Sequence, residues 1–293
     1  MSGGEDGVSG VLADDGRGGG LGGGPGRECG REAEAEASAA TSAVRVQARP
    51  GVHRVVLDRP EHGNALSLPM ARELLVAIRA AEADASAHVL TLTGAGRLFC
   101  GGGDVQAMAA AEPAGRPAVL AELAAAASDV ALALVRSRLL VVAGVNGTAA
   151  GAGLGLVLNA DLVLVHEEAT LLTAYSGVGL VPDTGVSWWL PRAVGPVRAA
   201  QLALGGRRLT GAEAVAWGLA TEAVAGEGFD ARLTALEDEL AGGAVEAHAA
   251  TKALLRGPQT VGYEEHLRRE TAAIAEASGR AESVARVDAF ARR

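Results

Sequence analysis

Two apolar runs in this chain each lead into a glycine-rich loop and then give way to a helical pattern. His88-Val89-Leu90-Thr91-Leu92-Thr93 feeds Phe99-Cys100-Gly101-Gly102-Gly103-Asp104. Leu139-Leu140-Val141-Val142-Ala143-Gly144-Val145 feeds Asn146-Gly147-Thr148-Ala149-Ala150-Gly151-Ala152-Gly153. Such runs read as strands buried on both faces, and a third, Leu162-Val163-Leu164-Val165, follows them. Strands alternating with helices predict an α/β fold with a parallel sheet covered on both sides. Backbone N–H groups at strand-to-helix turns are unpaired and point outward, which suits them to hold a developing negative charge.

The remaining pattern is consistent with that class. Val44-Arg45-Val46-Gln47 and Val52-His53-Arg54-Val55-Val56-Leu57 read as two strands about a Pro50-Gly51 turn. Met70, Leu74, Leu75 and Ile78 share one helical face, with Ser67 placed to cap it. An alanine-rich helix is expected over 116–137, and from about 196 the pattern is almost wholly helical, broken at Gly205-Gly206, Thr210-Gly211, Gly242-Gly243 and Gly257-Pro258. Apolar residues make up 49% of the chain but aromatics only 3%, so alanine, valine and leucine must build the core. Residues 1–42 differ: they run through Gly18-Gly19-Gly20 and Glu32-Ala33-Glu34, with almost nothing apolar to offset the entropy of ordering. They read as a disordered, solvated tail with at most a frayed helical turn near Glu32.

A net charge of −9 gives no attraction for nucleic acid or an anionic membrane, so contacts to a phosphorylated ligand must be local. Cys29 and Cys100 form no disulfide framework and are too few for a zinc cluster, and His53, His62, His88, His166, His248 and His266 lack metal-binding spacing. No uninterrupted apolar stretch reaches the length of a membrane span, and the N-terminus lacks a secretory pattern, so a reduced cytoplasm is expected. Gly151-Ala152-Gly153-Leu154-Gly155-Leu156 approaches a dinucleotide fingerprint, but its third glycine comes one place early and no acid stands at the ribose position.

One carboxylate completes a possible kit. Asp183, in Gly179-Leu180-Val181-Pro182-Asp183-Thr184-Gly185, follows both loops. Two amide donors and one carboxylate suffice to take a proton from carbon beside a carbonyl and return it elsewhere. Asp183 also reads as a helix N-cap, and the two roles can coexist. Asp104 reads as a cap beside the first loop. Cys100 lacks a basic neighbour to activate it.

Several ordered motifs together resemble the crotonase superfamily of enoyl-CoA hydratases and isomerases. They are Arg59-Pro60, Asn64-Ala65-Leu66-Ser67, Phe99 to Asp104, Val145-Asn146-Gly147 and Ala150-Gly151-Ala152-Gly153. Gly179 to Asp183, Trp189-Leu190-Pro191-Arg192, Leu209 to Ala214 and Trp217-Gly218-Leu219 extend the match over about 44–290. The resemblance implies a spiral core of ββα units over 43–230, a helical C-terminal assembly region over 231–293, and a homotrimer or dimer of trimers. It implies an acyl-CoA substrate and no separate cofactor or metal. The thioester oxygen is assigned to the N–H groups of Gly103 and Ala152. The substrate surface is assigned to Ala65, Gly101, Asp104, Val105, Gln106 and Tyr175, with Tyr175 as an aromatic wall or a core residue. Arg59, Arg97 and Gln106 are either CoA contacts or solvated surface.

Two departures decide which branch the resemblance favours. The two glutamates of a hydratase would stand at Gly155 and Tyr175, so hydration by that route is disfavoured. Asp183 matches the aspartate of a branch that includes the ring-epoxide isomerase of phenylacetate breakdown and Δ3,Δ2-enoyl-CoA isomerases. A dehalogenase uses an aspartate at the same place, but its histidine base would stand at Ser128. The expected activity is therefore an acyl-CoA isomerase with Asp183 as single acid/base. The alternatives are a hydratase-type lyase or ring-forming synthase of the same fold, and a silent acyl-CoA-binding subunit.

Overall fold

The valine- and leucine-rich runs become strands because each offers both faces to apolar cover. The computed structural model describes residues 42–256 except 111 and 113. The tail, Cys29, His266 and the end of the C-terminal assembly region lie outside the described residues. Strands β1 (Val44–Arg49) and β2 (Val52–Leu57) pair antiparallel about Pro50-Gly51. Strands β3 (Val89–Gly94) and β4 (Leu98–Cys100) follow, then β5 (Leu140–Val145) and β6 (Thr148–Ala150), then β7 (Leu162–His166) and β8 (Thr170–Leu172). Strands β9 (Leu209–Thr210) and β10 (Glu222–Val224) come late.

These strands divide into two sheets. The larger has the order β1-β2-β3-β5-β7-β10, and the smaller β4-β6-β8-β9. Strands β3, β5 and β7 run parallel in the first, and β4, β6 and β8 run parallel in the second. Strands β3, β5 and β7 thus each pass at once to a small-sheet strand and then to helix. Helices α2 (Val105–Ala110) and α3 (Arg116–Arg136) follow β4, α4 (Ala152–Leu158) follows β6, and α5 (Val186–Val194) follows β8. This repeat is the expected spiral of ββα units. Helix α1 (Leu68–Ala83) precedes it, with the Ser67 hydroxyl accepting from Met70 N–H at 3.3 Å as anticipated.

Alternation along the large sheet supplies two cores. Leu90, Leu92, Val141, Ala143, Val163 and Val165 face inward to the main cluster with Phe99 and helix α1. Val52, Val89, Val142 and Leu164 face the other way, against Phe229 and Leu233 of α8 (Phe229–Ala241). Helices α6 (Pro196–Ala203), α7 (Gly211–Trp217) and α9 (Val245–Arg256) complete the described C-terminal region. That region is helical but not wholly so, because β9 and β10 interrupt it. Strands of two and three residues are too short to leave a periodic signal.

Helix α3, with 21 residues, is long and apolar enough to cross a membrane by length and composition, although Glu122 and Asp129 interrupt its apolar run. Its Leu123, Ala127, Val130 and Leu134 are instead buried in the protein, and its exposed Glu122 pairs with Arg72 of α1 at 2.7 Å.

Helix α8 is fastened to the sheet by a charge. The Glu237 carboxylate has no solvent exposure and accepts from Arg54 at 2.7 and 2.9 Å and from Arg49 at 2.7 Å. Burial works against its ionised form, but the Arg54 and Arg49 hydrogen bonds outweigh burial and hold its pKa below the usual carboxylate range. A lowered folded-state pKa adds stability above the unfolded-state value, and that stability is lost as pH falls through the folded value. Glu237→Gln is therefore expected to lower Tm clearly at pH 7, with the gap to wild type narrowing below about pH 4. Thermal unfolding followed by circular dichroism at pH 7 and pH 3 checks this; a gap that does not change with pH contradicts it.

Candidate active site

The first glycine loop is fixed from below by Asn64. This residue is fully buried in the left-handed region (φ 52), and its amide donates to the carbonyls of Ala95 (2.9 Å) and Leu98 (2.7 Å) while its oxygen accepts from Arg59 N–H. Leu66 then bridges to Gly103: Leu66 N–H donates to the Gly102 carbonyl at 2.7 Å, and Asp104 N–H donates to the Leu66 carbonyl at 3.0 Å. In such a parallel bridge the middle residue turns its own N–H to the opposite side. The Gly103 N–H finds no acceptor among the described residues. Ala152 opens α4, so its N–H is one of the four that an α-helix leaves unpaired. Gly153 makes the two loops neighbours: a Cβ there would lie 2.4 Å from the Cys100 carbonyl oxygen.

Both loops line one cavity of about 350 Å³. Gly101, Gly103, Val105, Ala152, Tyr175 and Asp183 all face it, with Leu180, Val181 and Pro182 adding apolar wall. Among the described residues Asp183 is its one lining carboxylate and Tyr175 its other titratable side chain. The buried Tyr175 hydroxyl donates to Asp183 Oδ1 at 2.6 Å, and the Thr184 hydroxyl donates to the same oxygen at 2.9 Å. Burial first, and then the charge of Asp183, push the Tyr175 phenol far above its ordinary value. Cys100, buried beneath the loop, has its thiol pushed up to about 11 by burial. A thiol that stays protonated is no nucleophile.

Comparison with known proteins agrees with this geometry. A model of the family described as "Enoyl-CoA hydratase/isomerase" matches residues 47–290. The chain belongs to the enoyl-CoA hydratase/isomerase family. It is 40% identical to the protein of Rhodobacter capsulatus named "Probable enoyl-CoA hydratase", over 71% of this chain and 79% of that one. It is 35% identical to the 1,2-epoxyphenylacetyl-CoA isomerase of Escherichia coli, over 59% of this chain and 66% of that one. The crystal structure of an enoyl-CoA hydratase from Mycobacterium smegmatis superposes with a TM-score of 0.80 at 27% identity, covering 85% of this chain and 96% of that one. The crotonase resemblance read from the motifs is thus established, and the chain is an enzyme of that superfamily.

Within this hydratase/isomerase framework the expected site residues separate. Gly101, Gly103, Val105, Ala152, Tyr175 and Asp183 come together at the cavity, while Ala65, Asp104 and Gln106 are not among its lining residues. Asp104 caps α2, accepting from Ala107 N–H at 3.0 Å, and pairs with Arg59 at 3.3 Å. Arg59 also donates to the Ala65 carbonyl, so its guanidinium is engaged inside the loop. The capping role considered for Asp183 is not observed: Gly185 holds the N-cap of α5, and the Asp183 carboxylate takes side-chain donors instead. Ser128 is exposed and bonds back to the Ala124 carbonyl, leaving no base at the dehalogenase position. Among the described residues no group of three or more His, Cys, Asp or Glu is arranged to hold a metal. Sequence reasoning missed the supporting residues Asn159 and Thr184. Asn159 Nδ2–H donates to the carbonyls of Gly155 (2.7 Å) and Thr184 (2.9 Å), and its Oδ1 accepts from the Trp189 indole (3.1 Å).

Proposed function

We propose that the chain is an acyl-CoA isomerase that shifts a double bond through a thioester enolate. The observation that carries this reading is that Asp183 is the one carboxylate among the described residues lining the cavity, which Gly103 and Ala152 also line. The thioester oxygen lies between those two N–H groups. Asp183 takes a proton from the carbon beside the carbonyl, and the electrons move onto the oxygen held by the amides. The resulting dienolate is then protonated at the carbon two places further along by the same carboxyl group, so the double bond ends in conjugation with the carbonyl. Both steps move only protons, so they call for no metal or redox cofactor, and CoA serves as the handle. The trimeric or hexameric assembly belongs to the same proposal.

Two features weigh against hydration. Tyr175 stands where one hydratase glutamate would be, and Gly155 stands where the other would be. A Cβ on Gly155 would lie 2.6 Å from the Thr184 Cβ, so that position has no room for an acid. The hydratase reading keeps the support of names, those of the Rhodobacter relative and the Mycobacterium smegmatis structure among them. Incubating the purified protein with a 3-enoyl-CoA decides between them. A rise in conjugated enoyl-thioester absorbance without water addition is the expected result. A 3-hydroxyacyl product supports the hydratase, and silence despite binding supports an inert subunit; either overturns the proposal.

A further inference from the structure

The Tyr175–Asp183 contact is built more firmly than a wall residue requires. Ala174 (φ 60), just before Tyr175, and Thr184 (φ 50), just after Asp183, are two of the three non-glycine residues with positive φ among the described residues. A β-branched residue in that region is strained, and such strain persists only where neighbouring structure imposes it. Here Asn159 grips the Thr184 carbonyl, and the absent side chain of Gly155 leaves the space that Thr184 fills. On the other side, the Tyr175 carbonyl accepts from Val178 N–H (3.1 Å) and Leu180 N–H (3.0 Å), and the Thr173 hydroxyl donates to the Leu202 carbonyl at 2.9 Å. Both halves of the pair are therefore held in place by the backbone.

We propose that Tyr175 is a positioning residue for Asp183: with Thr184 it occupies Oδ1, leaving Oδ2 as the one oxygen that meets the substrate. This rests on the isomerase reading and specifies it. An oxygen that already accepts two donors is the poorer site for a proton, so the proton taken from substrate resides on Oδ2. The Oδ2–H bond forms as the bond from hydrogen to the first carbon breaks. It breaks again as the new carbon–hydrogen bond forms, on the same face of the dienolate. Because burial and the Asp183 charge keep the phenol protonated, the donor persists across the working pH range. Among the described residues no other titratable side chain lines the cavity, and Cys100 behind it stays a neutral thiol.

The test compares wild type, Tyr175→Phe and Thr184→Val in two measurements: kcat and KM with a 3-enoyl-CoA, and exchange of the hydrogen beside the carbonyl of a saturated acyl-CoA with solvent deuterium. Tyr175→Phe is expected to lower kcat about 10- to 100-fold, the worth of one hydrogen bond to a charged group, with KM little changed, and to slow the exchange in parallel. Thr184→Val, which keeps the branched shape, should lower both rates by less. Unchanged kcat and exchange in Tyr175→Phe, or a loss that appears in KM and not in kcat, overturns the positioning role. If instead the wild-type protein exchanges hydrogen but moves no double bond, and Tyr175→Phe slows that exchange, the isomerase reading falls and the positioning role stands.

Discussion

Asp183→Asn is expected to lower kcat for double-bond migration by about 10²- to 10⁴-fold, the usual worth of a positioned acid/base. Asparagine has nearly the same shape, and its oxygen can still accept from the Tyr175 and Thr184 hydroxyls that now reach Oδ1. It cannot take a proton from carbon. No other carboxylate among the described residues lines the cavity to substitute for it. The amide donors and apolar wall are untouched, so the dissociation constant for an acyl-CoA should change little. The decisive pair of measurements is turnover of a 3-enoyl-CoA and calorimetric binding of a saturated acyl-CoA to the same preparation. An Asn variant with ordinary turnover would remove Asp183 from the chemistry.

The second large effect concerns a main-chain atom. Ala152→Pro deletes one N–H from the pair assigned to the enolate oxygen, and is expected to lower kcat about 10²- to 10³-fold. Ala152 is the first residue of α4, where proline suits a helix because the N–H it lacks has no intrahelical partner. The preceding Gly151 (φ 52, ψ −119) already lies outside the right-handed helical region that a following proline disfavours. The fold should therefore survive, which circular dichroism can check. Ala152→Gly keeps the N–H and should fall far less, so the contrast between the two variants separates a lost donor from a disturbed loop. Equal losses in both would mean that the Ala152 amide is not the donor.

Much of this site was legible before any coordinates. The two glycine loops announced themselves because a buried strand ending in glycines marks a turn, and Asp183 stood out as the carboxylate that follows both loops. The Ser67 and Asp104 caps followed from local chemistry, since a cap and its partner lie within three residues. Other assignments could not be made at that range. The capping role considered for Asp183 gave way because Tyr175, eight positions earlier, donates to its carboxylate, and Asn159 fixes Thr184 from 25 positions away. Arg59 is held by Asp104 from 45 positions away, so its engagement inside the loop could not be read locally.

By itself, then, the sequence determined the class of fold, the alternation of buried strand, glycine-rich loop and helix, and which residue types could do the chemistry, while the second strand of each unit lies in stretches that read as loop. These are consequences of periodicity, glycine placement and capping, all of which act within a few residues of chain. The tertiary structure alone decided that the two loops and Asp183 share one cavity, that Thr184 fills the space beside Gly155, and that the Tyr175 hydroxyl donates to the Asp183 carboxylate. The first two join separate turns of the spiral and the third closes a single loop, but all are set by how buried side chains fit together, and a linear pattern does not record that fit.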